Sequence, residues 1–523
     1  MLAGAGLRVW QWALGTSLFI DELALVHNVA TRSAWQLVSE PLADAQVAPP
    51  LFLLAEKGCL MLLGPSELSL RLPALLASLL ALLLLWRVAA RLLWAPLVPA
   101  ALLAQAVGYT FIYYSNQAKP YASDVAATLL VLHLAWPLLA EAAPKRLLLK
   151  GVAGALLPFY AHPAVLVLAG GGAVLVAATW RAAGRAQRRA VWAVVAAWAL
   201  GCAGSVLLAR HLLLPATSSY MQFYWQAGML PLSAQLPRAL YTVLAQRLRY
   251  ALYWPSPEAI WLAAAAGGLL ALGRQRRYGV AGLLLAPWLV AGAASLLHLF
   301  PLHERQVDYL LPTLLLLVFT GLGALARGAY RYSRPAGLLA ALAASLVPLH
   351  ALRYQALPPY RTLEAKPLLA WLARLRRPGD LVYGSIGAGQ SLRWYGPRYG
   401  LGPGSYQLAP CLPRVPGTNR QRLHQLDALR GHRVWVVQLF MHHYEWTTIV
   451  PYLDSIGYAG PQLVAPSRLP EGYVSGAARV QLFDLTDPVR GRRYSADSFP
   501  AVPDVVDGPT ERQWQCVPPV VLP

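Results

Sequence analysis

Five stretches of this chain are apolar for fifteen residues or more: LPALLASLLALLLLW (72–86), AVLVLAGGGAVLVAATW (164–180), VWAVVAAWALGCAGSVLLA (191–209), VAGLLLAPWLVAGAASLLHLF (280–300) and YLLPTLLLLVFTGLGALA (309–326). Each is roughly long enough, as a helix, to cross about 30 Å of hydrocarbon. Less uniform candidates lie at 95–114, 124–140, 147–161, 258–273 and 336–352. Runs of this kind leave few folds open. The helices of a large soluble protein would alternate with amphipathic ones, and 57% apolar against 13% charged residues argues the same way, since soluble chains carry about a quarter charged residues. The expectation is an α-helical polytopic membrane protein of about 10–11 spans.

A net charge of +21 invites a nucleic-acid reading, so its location matters. With the spans assigned alternately to the two sides, basic residues gather mainly on one. They are Arg87 and Arg91; Lys145, Arg146 and Lys150; Arg181, Arg185, Arg188 and Arg189; Arg274, Arg276 and Arg277; and Arg327, Arg331 and Arg334. Such asymmetry orients helices with the basic loops in the cytoplasm. The excess charge is topological, and nucleic acid is not expected as a partner.

The same assignment puts 17–50, 114–123, 210–255, 301–307 and everything after about 353 outside. Residues 1–353 then form the membrane region, with a first outer loop over 17–67, and 354–523 an extracytoplasmic domain. Beyond the linker QALPPYR (355–361), RPGDLVYGS (377–385) reads as a turn and strand and HRVWVVQLF (432–440) as a buried strand. TIVPYLDSIGY (448–458) reads as a short helix and ARVQLFDL (478–485) as a last strand. Strands alternating with helices predict a small α/β domain, followed by an irregular tail. Cys411 and Cys516 fall in this outer part, where a disulfide and two free thiols are both open. Cys59 and Cys202 read as apolar packing residues, and no spacing suggests metal ligands. Met1 to Thr16 is short and polar for a span, yet the topology calls for a helix entering from inside. Either only part of a first span is present, or this helix is steeply tilted or interfacial.

Polar residues concentrate at the outer helix ends. SLFIDELAL (17–25) sets Asp21 and Glu22 side by side at the end of the first apolar segment. DAQVAPPLFLL (44–54) carries Asp44 and Gln46 ahead of a stiff Pro-Pro pair, and Arg71 stands at the mouth of the next helix. FIYYSNQAKPYASDV (111–125) brings Tyr113, Tyr114, Gln117, Lys119, Tyr121 and Asp124 to the membrane surface. Tyrosines alone suit interfacial anchoring, but a lysine at that depth suits an anionic headgroup. PLHERQVDYLLP (301–312) adds His303, Glu304, Arg305 and Asp308, of which Arg305 can clamp a phosphate with two parallel hydrogen bonds. His162 in FYAHPAV lies at another outer junction, where a structural and a catalytic histidine are both open.

This order, with DE in the first outer loop, a Pro-Pro segment, ELSLRLPALL, YYSNQAKPY and an Arg ahead of YLLP, resembles membrane glycosyltransferases of the GT-C type. More narrowly, it is similar to the superfamily of bacterial protein mannosyltransferases and aminoarabinose transferases, over about residues 17–352. The resemblance implies a GT-C-like fold and an inverting transfer of a sugar from a polyprenyl-phosphate carrier to an acceptor at the outer face of the plasma (inner) membrane. The acceptor class (protein, lipid or glycan) is left open. By the resemblance Asp21 is the catalytic carboxylate with Glu22 beside it, and Lys119 and Arg305 hold the donor phosphate. The remaining polar residues, Asp44, Gln46, Arg71, Tyr114, Gln117, Tyr121, Asp124, His162, His303 and Glu304, are candidates for substrate binding. Some GT-C enzymes use a divalent metal, but no ligand cluster is legible here.

Two departures stand out. Ser115-Asn116-Gln117-Ala118-Lys119 places an amide where the family commonly has a glutamate, and Ala48-Pro49-Pro50 replaces His-Pro-Pro. The first raises the alternative of an inactive relative that binds glycolipid or scaffolds an envelope complex. A lipid or solute transporter is the third reading. It would call for ionisable groups at mid-membrane, where these spans show almost none.

Overall fold

The computed structural model describes residues 1–140, 145–182, 184–252, 257–355, 360–410, 418–439, 443–465 and 478–500. Cys411, Cys516 and the centre of the 355–361 linker lie outside them. The chain divides into two compact units. One comprises Met1–Leu14, Arg32–Leu42 and Val47–Pro359; the other comprises Gly15–Thr31, Ala43–Gln46 and Tyr360–Pro523.

The first unit is helical, and each of the ten apolar stretches is centred on helix. Among the described residues five helices have the length and hydropathy of a full span: Glu67–Leu92, Tyr121–Leu139, Arg185–Leu212, Tyr278–Leu296 and Arg305–Tyr332. A sixth span is formed if Ala95–Val107 and Tyr109–Asn116, bent by 56° at Gly108, count as one; Leu147–Phe159 and Ala164–Trp180 are apolar but shorter. The estimate of 10–11 spans from apolar segments therefore includes helices that are apolar but short of a full span. The chain is a multi-pass membrane protein.

The Glu67–Leu92 helix begins where its sequence supplies a start. Ser66 Oγ accepts from the Ser69 N–H at 3.1 Å and Ser69 Oγ accepts from the Ser66 N–H at 3.2 Å, a reciprocal cap for otherwise orphan donors. Elsewhere, the Glu258–Arg274 and Leu311–Tyr332 helices cross at Gly268 and Gly321. A Cβ on Gly321 would lie 1.9 Å from the Ala264 carbonyl oxygen, and one on Gly268 would lie 2.2 Å from that of Leu317. Only glycine lets these backbones approach so closely.

The Leu2–Ala13 helix carries one charge deep into this unit. Arg8 is fully buried; its Nε donates to Ser78 Oγ at 2.7 Å, Nη1 to the Gly4 and Ala106 carbonyls at 2.9 Å each, and Nη2 to the Gln105 carbonyl at 2.8 Å. Ser78 is the twelfth residue of a 26-residue helix, so this guanidinium is an exception to the charge-free span centres read from the sequence. Four short hydrogen bonds tie it to three helices, which is the arrangement of a structural staple rather than of a transport group.

The second unit holds a five-stranded mixed sheet in the order β2-β1-β3-β5-β4: β1 Leu381–Gly384, β2 Gln407–Leu408, β3 Arg433–Gln438, β4 Tyr458–Ala465 and β5 Ala478–Asp484. β1 pairs in parallel with β2 and β3, while β5 runs antiparallel to β3 and β4. The expected α/β domain is thus present. Both faces are covered. Val434 and Val436 pack in a core with Tyr452, Leu453 and Ile456 of the His443–Ile456 helix, and Trp435 meets Trp371 edge to face at 5.5 Å. The sequence reading missed β4. Its residues are mostly exposed, and it carries an irregularity between Ala459 and Gln462, as suits an edge strand that contains a proline.

Candidate active site

In the second unit, the Ile20–Thr31 helix presents the adjacent carboxylates. Glu22, at the third helical position, is completely buried and its Oε2 accepts from the Phe19 N–H at 2.8 Å, satisfying a donor that the helix start leaves over. Asp21 is half-buried. The segment before this helix is fixed to the C-terminal part of the unit: Ser17 Oγ donates to Glu364 Oε2 at 3.1 Å, and the Leu18 N–H donates to the Tyr395 hydroxyl at 2.8 Å. Further along the helix, Asn28 clasps residue 43. Its Oδ1 accepts from the Ala43 N–H at 2.8 Å and its Nδ2 donates to the Ala43 carbonyl at 3.2 Å. The clasp precedes two residues in left-handed backbone, Asp44 (φ 57°) and Ala45 (φ 51°). Such a conformation costs energy for residues other than glycine, asparagine and aspartate unless the surroundings impose it. Gln46 Nε2 donates to the Asp44 carbonyl at 3.1 Å. The two carboxylates of the DE pair thus differ: one builds the helix start, and its neighbour is the more accessible.

In the first unit, the second-loop residues are buried more deeply than a surface loop would be. Tyr114, Gln117, Lys119 and Asp124 are each no more than 8% exposed. Their tyrosines are linked in series. Tyr109 stacks on Tyr113 at 5.2 Å, Tyr113 meets Tyr114 edge to face at 5.0 Å, and Tyr114 meets Tyr121 likewise at 4.9 Å. The Arg305 guanidinium lies 5.6 Å from the Tyr121 ring and 5.7 Å from that of Trp225, within the range of cation–π attraction. At the other end, Tyr109 adjoins Tyr250, over which Arg247 lies at 5.0 Å. Arg247 Nη1 then donates to Asp308 Oδ1 at 3.0 Å, three residues beyond Arg305. Aromatic and charged contacts, joined through the 305–308 backbone, therefore close a ring. A small cavity lined by Ser78, Gln105, Thr110, Tyr114, Tyr121 and Asp308 adjoins it. Asp124 Oδ1 and Gln105 Oε1 are buried with no hydrogen-bond partner among the described residues.

The structure brings Tyr114, Tyr121 and Arg305 together, with Lys119 buried two residues before Tyr121. Arg71 is buried on the Glu67–Leu92 helix, which packs against the Tyr114–Asn116 turn. His162 stands half-buried at the turn before the Ala164–Ala182 helix and is not a member of the ring. His303 lines a separate groove. Glu304 begins the Glu304–Leu310 turn, and its side chain lies outside the described residues. Arg247 and Trp225 escaped the sequence reading. A signal for Arg247 existed: it shares the buried stripe of the Leu236–Leu252 helix with Leu248, Ala251 and Leu252, a position normally apolar. Among the described residues no three His, Cys, Asp or Glu side chains gather as metal ligands.

No protein-family model matches this chain, and neither does any curated protein. Solved structures do. ArnT from Cupriavidus metallidurans bound to undecaprenyl phosphate is similar with a TM-score of 0.50 at 13% identity, over 92% of this chain and 97% of that one. ArnT in the apo state aligns over the same shares at a TM-score of 0.46. The chain is a multi-pass membrane protein with the GT-C-like fold of ArnT.

Proposed function

We propose that this protein is an inverting glycosyltransferase that moves a sugar from a polyprenyl-phosphate carrier to an acceptor at the extracytoplasmic face of the plasma membrane. The observation that carries the reading is Arg305. Its guanidinium is held half-buried against the rings of Tyr121 and Trp225, and a guanidinium's planar fork has the geometry for a bidentate grip on a phosphate. The shared fold with an ArnT structure that binds undecaprenyl phosphate supports it.

In this reading an acceptor hydroxyl oxygen attacks the anomeric carbon in line with the departing phosphate. The new C–O bond forms as the sugar–phosphate bond breaks, and the bonding pair leaves on the phosphate oxygen. Lys119 and Arg305 stabilise that growing charge, an effect typically of several kcal/mol in a preorganised site. Asp21 takes the acceptor proton, while Glu22 holds the helix start that presents it. Residues 354–523 form the extracytoplasmic domain.

The test is to incubate the purified protein with radiolabelled polyprenyl-phosphate sugars and membrane extract and to identify the labelled product. Transfer that disappears in Asp21→Asn supports the reading; transfer that persists there ends the base assignment. Gln117, an amide in the second loop, favours a second reading, a glycolipid-binding relative without activity. Donor binding with no transfer by the wild-type protein under any condition of the panel would establish that alternative.

A further inference from the structure

A groove of about 400 Å³ lies in the first unit between the Leu236–Leu252 helix and the 301–303 segment. Its polar wall is a stripe. Gln235 stands immediately before the helix, and Arg238, Thr242 and Gln246 follow at intervals of three, four and four residues, the spacing that aligns side chains along one helix face. All four are exposed, while Ala245, Arg247, Leu248, Ala251 and Leu252 of the same helix are buried. His303 faces the stripe, and Met229, Leu230, Val243 and Leu302 provide apolar contact.

The floor is built rather than incidental. The Leu302 N–H donates to the Gly228 carbonyl at 2.9 Å, and the Leu230 N–H donates to the buried Ser295 Oγ at 2.9 Å. Gly228 permits the close approach, since a Cβ there would lie 2.7 Å from that of His303. The groove-lining segments run directly into the Arg305 site along the chain. Trp225, against which Arg305 lies, immediately precedes the Gln226–Gly228 turn, and His303 is two residues before Arg305.

From this we infer that the groove is the acceptor subsite and that it takes a saccharide bearing an acidic substituent. Amides and a hydroxyl on one helix face match the vicinal hydroxyls of a sugar ring, which both donate and accept. Arg238 supplies a cation, and among the described residues no carboxylate lines the groove, so an anionic group is favoured over a cationic one. The volume falls within the range of small-ligand pockets, about 300–1,000 Å³. That the saccharide is an acceptor rests on the transferase reading; that the groove binds it does not.

Binding can be measured on the full-length protein in detergent by saturation-transfer NMR, with glucose, glucuronate and glucose 6-phosphate as probes. The wild-type protein is expected to bind both acidic sugars at least tenfold more tightly than glucose. Arg238→Gln should abolish that preference, and the Gln235→Ala/Gln246→Ala double variant should weaken all three probes about tenfold. These positions are exposed, and an unchanged thermal melt confirms folding. Equal affinity for glucose and the acidic sugars, no binding by the wild-type protein, or unaltered binding by both variants would overturn the proposal without touching the transferase reading. Intact sugar binding with no glycosyl transfer would instead overturn the acceptor role together with the transferase reading.

Discussion

Arg247 and Asp308 meet at 3.0 Å with only 4% and 1% of their side chains exposed. They join the Leu236–Leu252 helix to the turn that carries Arg305. Two charges out of water are tolerated only as a pair, and removing one partner from such a pair costs about 3–5 kcal/mol. Arg247→Ala and Asp308→Asn are each expected to lower the thermal midpoint of the detergent-solubilised protein strongly, whereas Arg247→Met/Asp308→Leu recovers much of the loss. Single variants that melt like the wild type would show that the pair does not hold the turn.

Arg8 offers an independent probe of the membrane unit. Arg8→Leu leaves the Gly4, Gln105 and Ala106 carbonyls and the Ser78 hydroxyl without this donor, and each buried polar group so left costs about 1–3 kcal/mol. A marked loss of thermal stability is expected. A Ser78→Ala cycle should report coupling, because those two side chains share a 2.7 Å hydrogen bond; additive effects would argue against it.

Asp21 and Glu22 should separate in a kinetic and stability comparison. Asp21→Asn is expected to reduce sugar transfer by about 10²–10⁴-fold, the usual weight of a positioned base, with the melt unchanged. Glu22→Gln weakens the acceptor of the Phe19 N–H and is expected to lower stability by about 1 kcal/mol with a smaller effect on turnover. Equal kinetic losses would mean that the two carboxylates are not divided in role.

Arg305→Lys keeps the charge but loses the planar fork and the stacking on Tyr121 and Trp225. The expected result is a raised KM for the lipid-linked donor, with Arg305→Ala raising it further. Donor kinetics identical to wild type in both variants would remove Arg305 from the phosphate site.

The second unit carries an acid-sensitive brace at Asp380. Burial pushes its carboxyl up, but the Arg377 N–H, the Trp435 indole and Arg433 together outweigh burial and hold it below its ordinary value. A depressed folded-state value gives stability that is fully present above the unfolded carboxyl's value of about 3.9 and is lost as pH falls through the folded one. Tryptophan fluorescence of the full chain should therefore show that Asp380→Asn flattens the loss of stability below about pH 4. Superimposable acid limbs for wild type and variant would refute the brace.

The sequence by itself determined where the long apolar helices lie, because a long apolar run leaves the backbone no way to satisfy its polar groups in lipid except by bonding to itself. The Pro215–Trp225 and Leu236–Leu252 helices, within a segment read only as an outer one, were not among them. It also marked β1, β3 and β5, whose buried β-branched and aromatic residues read directly as strand. It singled out Lys119, Tyr121 and Arg305, since cations and tyrosines at helix ends contrast with their apolar surroundings. Tertiary structure alone decided that Arg247 and Trp225 join Arg305, that Glu22 closes a helix start, and that Arg8 is buried against Ser78. Gly15–Thr31 and Ala43–Gln46 also grouped with the C-terminal unit only in three dimensions. Helical and strand periodicity report a residue's immediate surroundings, whereas a hydrogen bond from Leu18 to Tyr395 spans 377 positions and leaves no periodic trace.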